Sequence, residues 1–313
     1  MSKTAFVFPG QGTQHVGMGS SLLKEFDVVR NVFDRASTVL GMDMRKLCLE
    51  GPQEKLNLTV NTQIAVLTLS IAIYSIFKEK ISIKPMVMAG HSLGEYSALY
   101  AAGAIGFEDV FSVVQARARY HQEAVPAGLG AMAAIIGLNG DNVELLCSEV
   151  SKADAKVSVA IHNTLQQIVV SGHAAAVEKA MLAAKQKGAQ QVVRLPISAP
   201  CHCSLLQKAA DMLKEKLEPV EFLDPSVPVI PNSNPAVFYT KDNARKLLVD
   251  QIVLPVQWRQ TVEKMAAMGV REIIEIGPKR TVCGLIKRIN KNIELFSVED
   301  VDSLHKTAEL FSA

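Results

Sequence analysis

The chain has 313 residues, 49% of them hydrophobic, which is enough apolar material for one large domain, or one large and one small, around a buried core. A formal net charge of +2 excludes the strongly basic footprint of a nucleic-acid binder and stays compatible with an acidic protein partner. The five cysteines, odd in number and irregularly spaced, form no disulfide framework and read as reduced thiols.

In chain order, a short apolar strand over residues 5–8 closes in Pro9-Gly10-Gln11-Gly12. The N-terminus has no apolar region long enough for a secretory signal, so a cytoplasmic location is expected. Helical periodicity covers residues 62–80. Its apolar centre, residues 64–77, is interrupted by Thr68, Ser70, Tyr74 and Ser75 and falls short of the ~18 apolar residues of a membrane span, so it reads as a core helix. A strand over 85–89, a helix over 95–102 and a second helix over 108–124 follow, with a late strand at 271–276. This alternation predicts an α/β layer with a mostly parallel sheet.

Between a hinge at residues 126–130 and a return at 196–200, the rhythm changes. Strand 131–137, helix 141–153, strands 157–162 and 167–171, helix 174–187 and strand 190–195 follow in turn. That β-α-β-β-α-β order, over about 65 residues, is the ferredoxin-like unit, expected as a small domain inserted into the larger one. The expected division is 1–127 with 199–313 for the larger domain and 128–198 for the insert.

Gly90-His91-Ser92-Leu93-Gly94 lies between the strand and the helix that follows it. A turn this tight lifts its middle residue into strained backbone, and the flanking glycines pass without Cβ clashes, so Ser92 reads as a nucleophile. The alternative is a glycine-flanked serine in an ordinary loop. The next amide, Leu93, sits at a helix N-terminus, where an unpaired N–H and the positive dipole end receive a developing oxyanion.

A serine hydroxyl needs a base, usually histidine. Of the seven histidines, His15, His121, His173 and His305 read as surface residues, and His162 ends a strand of the insert. His91 adjoins Ser92, but neighbouring side chains on a strained turn diverge. His202, where the chain re-enters the larger domain, is the best candidate by location, against a helix-cap histidine. Cys201 and Cys203 raise a thiol nucleophile or a metal site as rivals. A cysteine adjacent in sequence to its base cannot easily face it, and the spacing lacks the second pair that tetrahedral zinc requires. Gly10-Gln11-Gly12 is no dinucleotide fingerprint, since His15 stands where the third glycine belongs. No cofactor and no metal are expected.

Together, Phe8-Pro9-Gly10-Gln11-Gly12, Gly90-His91-Ser92-Leu93-Gly94-Glu95 and Pro255-Val256-Gln257-Trp258, in this order, make the sequence resemble the malonyl-CoA:acyl carrier protein transacylases over almost its whole length. The resemblance implies an α/β-hydrolase-like larger domain with a ferredoxin-like insert. It implies that Ser92 is acylated, that His202 is its base, and that the main-chain amides of Gln11 and Leu93 form the oxyanion hole. Gln251 matches the position whose carbonyl orients the histidine, which accounts for the lack of an obvious third-member Asp or Glu between Ser92 and His202. Arg117 matches the arginine that holds the malonyl carboxylate; spacing alone would suit Arg119 equally. Gln63, His91, Asn163 and Cys201 are further pocket candidates.

The implied substrates are malonyl-CoA and, transiently, an acyl carrier protein in fatty acid biosynthesis. A polyketide-type acyltransferase or an acyl-thioester serine hydrolase is the alternative. No nucleic-acid or membrane partner is expected, and the chain is expected to act as a monomer. Departures from the family pattern are Ile64 after Gln63, Leu165-Gln166 after the insert asparagine, Lys279 where glycine is frequent, and Cys201 in place of a small hydroxyl residue. Lys279, Arg280, Lys287, Arg288 and Lys291 cluster near the C-terminus as a solvated helix face or a docking surface for an acidic carrier.

Overall fold

The structure, a computed structural model, describes residues 3–126, 128–197 and 199–311. Ala127 and Ser198, at which the two expected domain boundaries fall, lie outside the described residues.

Five strands, β1 (Thr4–Phe8), β2 (Val87–Gly90), β7 (Val229–Ile230), β8 (Glu272–Ile276) and β9 (Glu294–Val298), form a parallel sheet in the order β7-β2-β1-β8-β9. The central strand β1 is buried along its whole length, as a parallel strand covered on both faces must be. Its side chains alternate. Phe6 and Phe8 enter the core formed with the helices Thr59–Lys80 and Phe107–Ala124, while Ala5 and Val7 face Trp258, Val262 and Ile286 on the other side. β7 and β9 were not expected from sequence. β7 is two residues long, and β9 carries half-buried Leu295 and Phe296 at the edge, so neither has a pattern that stands out.

The insert is a second, antiparallel sheet of β3 (Gly130–Ile136), β4 (Val157–Thr164), β5 (Gln167–His173) and β6 (Gln191–Arg194), in the order β4-β5-β3-β6. The helices Gly140–Val150 and Ala174–Gln186 bury one face of it around Ile135, Val159 and Val170. The opposite face, with Met132, Ala134, Ile161 and Val169, joins the core of the parallel unit. Val256, between the helices Ala244–Val253 and Trp258–Ala267, ties β4 to the larger unit, donating to the Ala160 carbonyl at 2.9 Å and accepting from His162 N–H at 2.9 Å.

The helix Thr59–Lys80 is longer than the sequence suggested. By length and composition it could cross a membrane, yet 83% of its apolar window is buried inside the protein. Its burial on nearly every side explains why its composition is apolar all round.

Candidate active site

β1 and β2 run in parallel with Phe8 opposite Gly90, so the loops that leave them emerge side by side at the carboxyl edge of the sheet, where open α/β folds place their clefts. His91 N–H donates to the Phe8 carbonyl at 2.9 Å, locking the two loops. The approach is too close for side chains. A Cβ on Gly90 would lie 1.9 Å from the Gly94 carbonyl carbon, and one on Gly94 would lie 2.1 Å from the Phe8 carbonyl oxygen. Between these glycines Ser92 adopts φ 52°, the left-handed conformation expected of an elbow. The helix Gly94–Ala101 follows with Leu93 at its N-cap, and a Cβ on Gly10 would stand 3.6 Å from the Leu93 amide nitrogen. The Gln11 loop therefore borders that amide.

His202 also has positive φ, 59°, and is buried. Its Nε2 is 2.7 Å from Ser92 Oγ and its Nδ1 is 2.7 Å from the main-chain carbonyl of Gln251, in the helix Ala244–Val253. A carbonyl only accepts, so Nδ1 carries the proton and Nε2 presents its lone pair to the serine. Burial first, and the Arg117 guanidinium second, lower the His202 pKa to about 3, against the opposing bond to Gln251. The imidazole is thus neutral near pH 7.

Asn232, directly beyond β7, holds the elbow from the other side. Its Oδ1 accepts from Ser92 N–H at 2.6 Å and its Nδ2 donates to the Gly90 carbonyl at 2.6 Å. Sequence reading missed it, although a Pro-Asn turn after an apolar run is a usable signal.

Arg117 is 2% exposed, donating from Nη1 to Gln63 Oε1 at 2.5 Å and from Nη2 to Gln251 Oε1 at 3.0 Å, with the Tyr96 ring 5.5 Å from its Cζ. Its Nε, Gln63 Nε2 and His121 Nε2 are buried without a hydrogen-bond partner among the described residues. Such a set of unpaired groups around a guanidinium suits an anion. Arg119, by contrast, is exposed and pairs with Glu123 at 3.6 Å. Burial, not spacing, separates the two arginines.

His91 turns away from Ser92, as expected. Its Nε2 is 2.9 Å from Asn163 Oδ1 and its ring meets Trp258 edge-on at 5.4 Å. The expectation that His121 lies on the surface is wrong. It is fully buried, its Nδ1 3.6 Å from Cys201 Sγ, and burial together with the charge of Arg117 holds its pKa well below the usual value. Helical spacing from Arg117, one turn earlier, was the overlooked signal.

Cys201 and Cys203 are buried, free thiols whose Sγ atoms donate to the carbonyls of Ala199 at 3.5 Å and Pro200 at 3.2 Å. Burial pushes the Cys201 pKa up to about 11, which disfavours the reactive thiolate. No cluster of metal-ligating side chains occurs among the described residues.

The place of a triad acid beside His202 Nδ1 is taken by the Gln251 carbonyl, and the nearest carboxylate in sequence to the nucleophile stands behind that contact. Glu95 is fully buried behind the elbow, accepting from Tyr239 Oη on one oxygen and, on the other, from Gln251 Nε2 at 2.7 Å and Asn232 N–H at 3.1 Å.

Residues 5–308 match the acyl transferase domain family. The malonyl CoA-acyl carrier protein transacylase of Escherichia coli (strain K12) is 42% identical over 310 residues, covering 99% of this chain and all of that protein. The transacylase structure from Coxiella burnetii superposes with a TM-score of 0.96 at 40% identity, covering 99% of this chain and 98% of that one. A structure of a type II polyketide synthase acyl carrier protein in complex with its malonyl-transacylase matches with a TM-score of 0.96 at 43% identity, covering 99% and 100%. With identity of this order over essentially the full length of both partners, the chain belongs to the malonyl-CoA:acyl carrier protein transacylase family.

Proposed function

We propose that this chain moves a malonyl group from malonyl-CoA to the phosphopantetheine thiol of an acyl carrier protein, through a malonyl ester on Ser92, for fatty acid biosynthesis. The observation that carries the reading is the 2.7 Å approach of Ser92 Oγ to a His202 whose other nitrogen is tied to a carbonyl, beside the buried guanidinium of Arg117.

In the first half-reaction the Ser92 hydroxyl proton passes to His202 Nε2 as Oγ bonds to the thioester carbon. The Gln11 and Leu93 amides hold the oxyanion, one such donor being worth roughly 3 kcal/mol. Collapse breaks the C–S bond, and the imidazolium proton goes to the departing CoA sulfur. The carrier thiol then runs the same steps in reverse, giving its proton to His202 and taking the malonyl group from Ser92. Since a thioester is exchanged for a thioester, the overall reaction is close to thermoneutral.

Arg117 binds the malonyl carboxylate bidentately in a dry pocket, with Gln63 and Gln251 steadying the guanidinium. The bound carboxylate also offsets the positive charge that depresses His202, so the correct acyl group raises the basicity of the base it needs. His91, Asn163 and Cys201 line the acyl pocket. The catalytic unit comprises 1–127 with 199–313, and 128–198 closes over it as the insert.

The carrier docks on the basic C-terminal stretch, where Arg280, Lys287 and Lys291 border a groove of about 550 Å³. The protein works as a cytoplasmic monomer, and its long apolar helix is a core element rather than a membrane span. A polyketide carrier is the second reading, favoured by the likeness to a transacylase solved with such a carrier. Kinetics with carriers of both kinds test it: a higher kcat/KM for the fatty acid carrier is expected, and a preference for the polyketide carrier would move the assignment to that pathway.

A further inference from the structure

We propose that Glu95 is a positioning residue for acyl transfer, holding through Gln251 and Asn232 both the strained Ser92 turn and the carbonyl that aligns His202. The inference rests on the Ser92–His202 transfer described above.

The hydrogen bonds run outward from the carboxylate. Tyr239 Oη, Gln251 Nε2 and Asn232 N–H converge on it. An ionised carboxylate accepts all three, whereas a protonated one must turn a donor toward one of them. Each residue it grips then holds the reacting pair. Gln251 gives its carbonyl to His202 Nδ1 at 2.7 Å, its Nε2 also to the Ser92 carbonyl at 3.0 Å, and its Oε1 to Arg117 at 3.0 Å. Asn232 bonds the Ser92 amide at 2.6 Å and the Gly90 carbonyl at 2.6 Å. Glu95 thus stands one residue behind the nucleophile, the base and the acyl clamp at once. A left-handed serine persists only where its surroundings over-determine it, and these bonds do so. In a triad the carboxylate touches the histidine directly. Here a carbonyl takes that place, and the charge sits one hydrogen bond further back.

The titratable and charged groups facing Glu95 are Arg117 on the helix Phe107–Ala124, Tyr239 after β7, and Tyr96 on its own helix, with Asp250 beside Tyr239 and His202 beyond Gln251. Burial raises the Glu95 pKa to about 7, while the three hydrogen bonds and Arg117 pull it down. If the ionised form positions the site, acylation falls as pH drops through that value. His202, held near 3, contributes no limb there.

The test is single-turnover release of CoA from malonyl-CoA and from acetyl-CoA, for the wild-type chain, Glu95→Gln, Glu95→Ala and Tyr239→Phe, across about pH 5 to 9, with thermal unfolding of each variant. Glu95→Gln is expected to slow acylation by roughly tenfold with both substrates, with KM nearly unchanged, and to lack the acid limb. The wild-type rate should fall on acidification to meet it. Tyr239→Phe removes a bond that favours the carboxylate, so its limb should move to higher pH. Glu95→Ala should lose more than Glu95→Gln, and if it fails to fold, the other two profiles decide. A Glu95→Gln chain with the wild-type rate and the same acid limb overturns the proposal. So does a loss confined to malonyl-CoA, which would make Glu95 part of the carboxylate pocket. Failure of the wild-type chain to release CoA would instead refute the transfer reading itself.

Discussion

His202 and Gln251 are joined through the histidine Nδ1 and a main-chain carbonyl at 2.7 Å, so the base is oriented by backbone rather than by an acidic side chain. A carbonyl fixes the tautomer as firmly as a carboxylate does, but it adds no full negative charge beside the imidazolium. His202→Ala should therefore slow Ser92 acylation by about 10²–10⁴-fold without loss of fold. Stopped-flow release of CoA measures this, and a near-normal rate would remove His202 from the role of base.

Acyl selectivity should reside in Arg117. Arg117→Ala leaves a desolvated malonyl carboxylate unpaired and should cost malonyl transfer on the order of 2–5 kcal/mol in kcat/KM, with far less effect on acetyl-CoA. Arg119, exposed and paired with Glu123 on the helix surface, should tolerate alanine with either substrate. Equal losses for both thioesters in Arg117→Ala would argue against the clamp.

The same substitution has a consequence for pH. Arg117 lowers the pKa of His202 and of Glu95. Removing it raises both, so each group is protonated at higher pH, and the form needed for acylation is lost sooner on acidification. With acetyl-CoA as substrate, the acid limb of Arg117→Ala should lie at higher pH than that of the wild-type chain. A limb that stays fixed or moves down would show that the guanidinium does not act on these groups.

Lys279 holds φ 61° in the turn after Gly277-Pro278, where the family commonly has glycine. Left-handed backbone costs an ordinary residue about 1–2 kcal/mol, and glycine returns roughly 0.5–1 kcal/mol of that as extra freedom in the unfolded chain. Lys279→Gly should raise the melting temperature slightly. A clear fall in Tm would mean that the main-chain bond from Lys279 to Glu299 depends on the lysine.

For carrier docking, Lys287 and Lys291 are the cleaner probes, since Arg288 also bonds Gln167 of the insert at 2.8 Å. Charge reversal at both lysines should lower kcat/KM for the carrier protein and leave acylation by malonyl-CoA nearly intact, and added salt should imitate the effect. Transfer insensitive to salt and to both reversals would move docking elsewhere.

Much of this was legible in sequence, for physical reasons. The elbow is legible because its glycines answer steric contacts near 2 Å that no other residue survives, and the insert because short apolar strands and helices follow one another in the β-α-β-β-α-β order, each bounded by turn residues. β7 and β9 were not, being too short or too half-buried to carry a pattern. Glu95, Asn232 and His121 were missed for one shared reason. Each is polar, so sequence reading assigns it to the surface, and only the tertiary structure reveals the buried partners or, at His121, the buried site that retain it.

Transfer through a malonyl-serine is tested most directly by intact-mass and peptide mapping after mixing with malonyl-CoA, repeated after adding a pantetheinylated acyl carrier protein. One malonyl group is expected, mapped to Ser92, absent in Ser92→Ala, persistent in buffer and discharged rapidly by the carrier. An adduct on Cys201 or Cys203, or one that survives Ser92→Ala, would contradict the serine mechanism; discharge to water as fast as to carrier would make the protein a hydrolase.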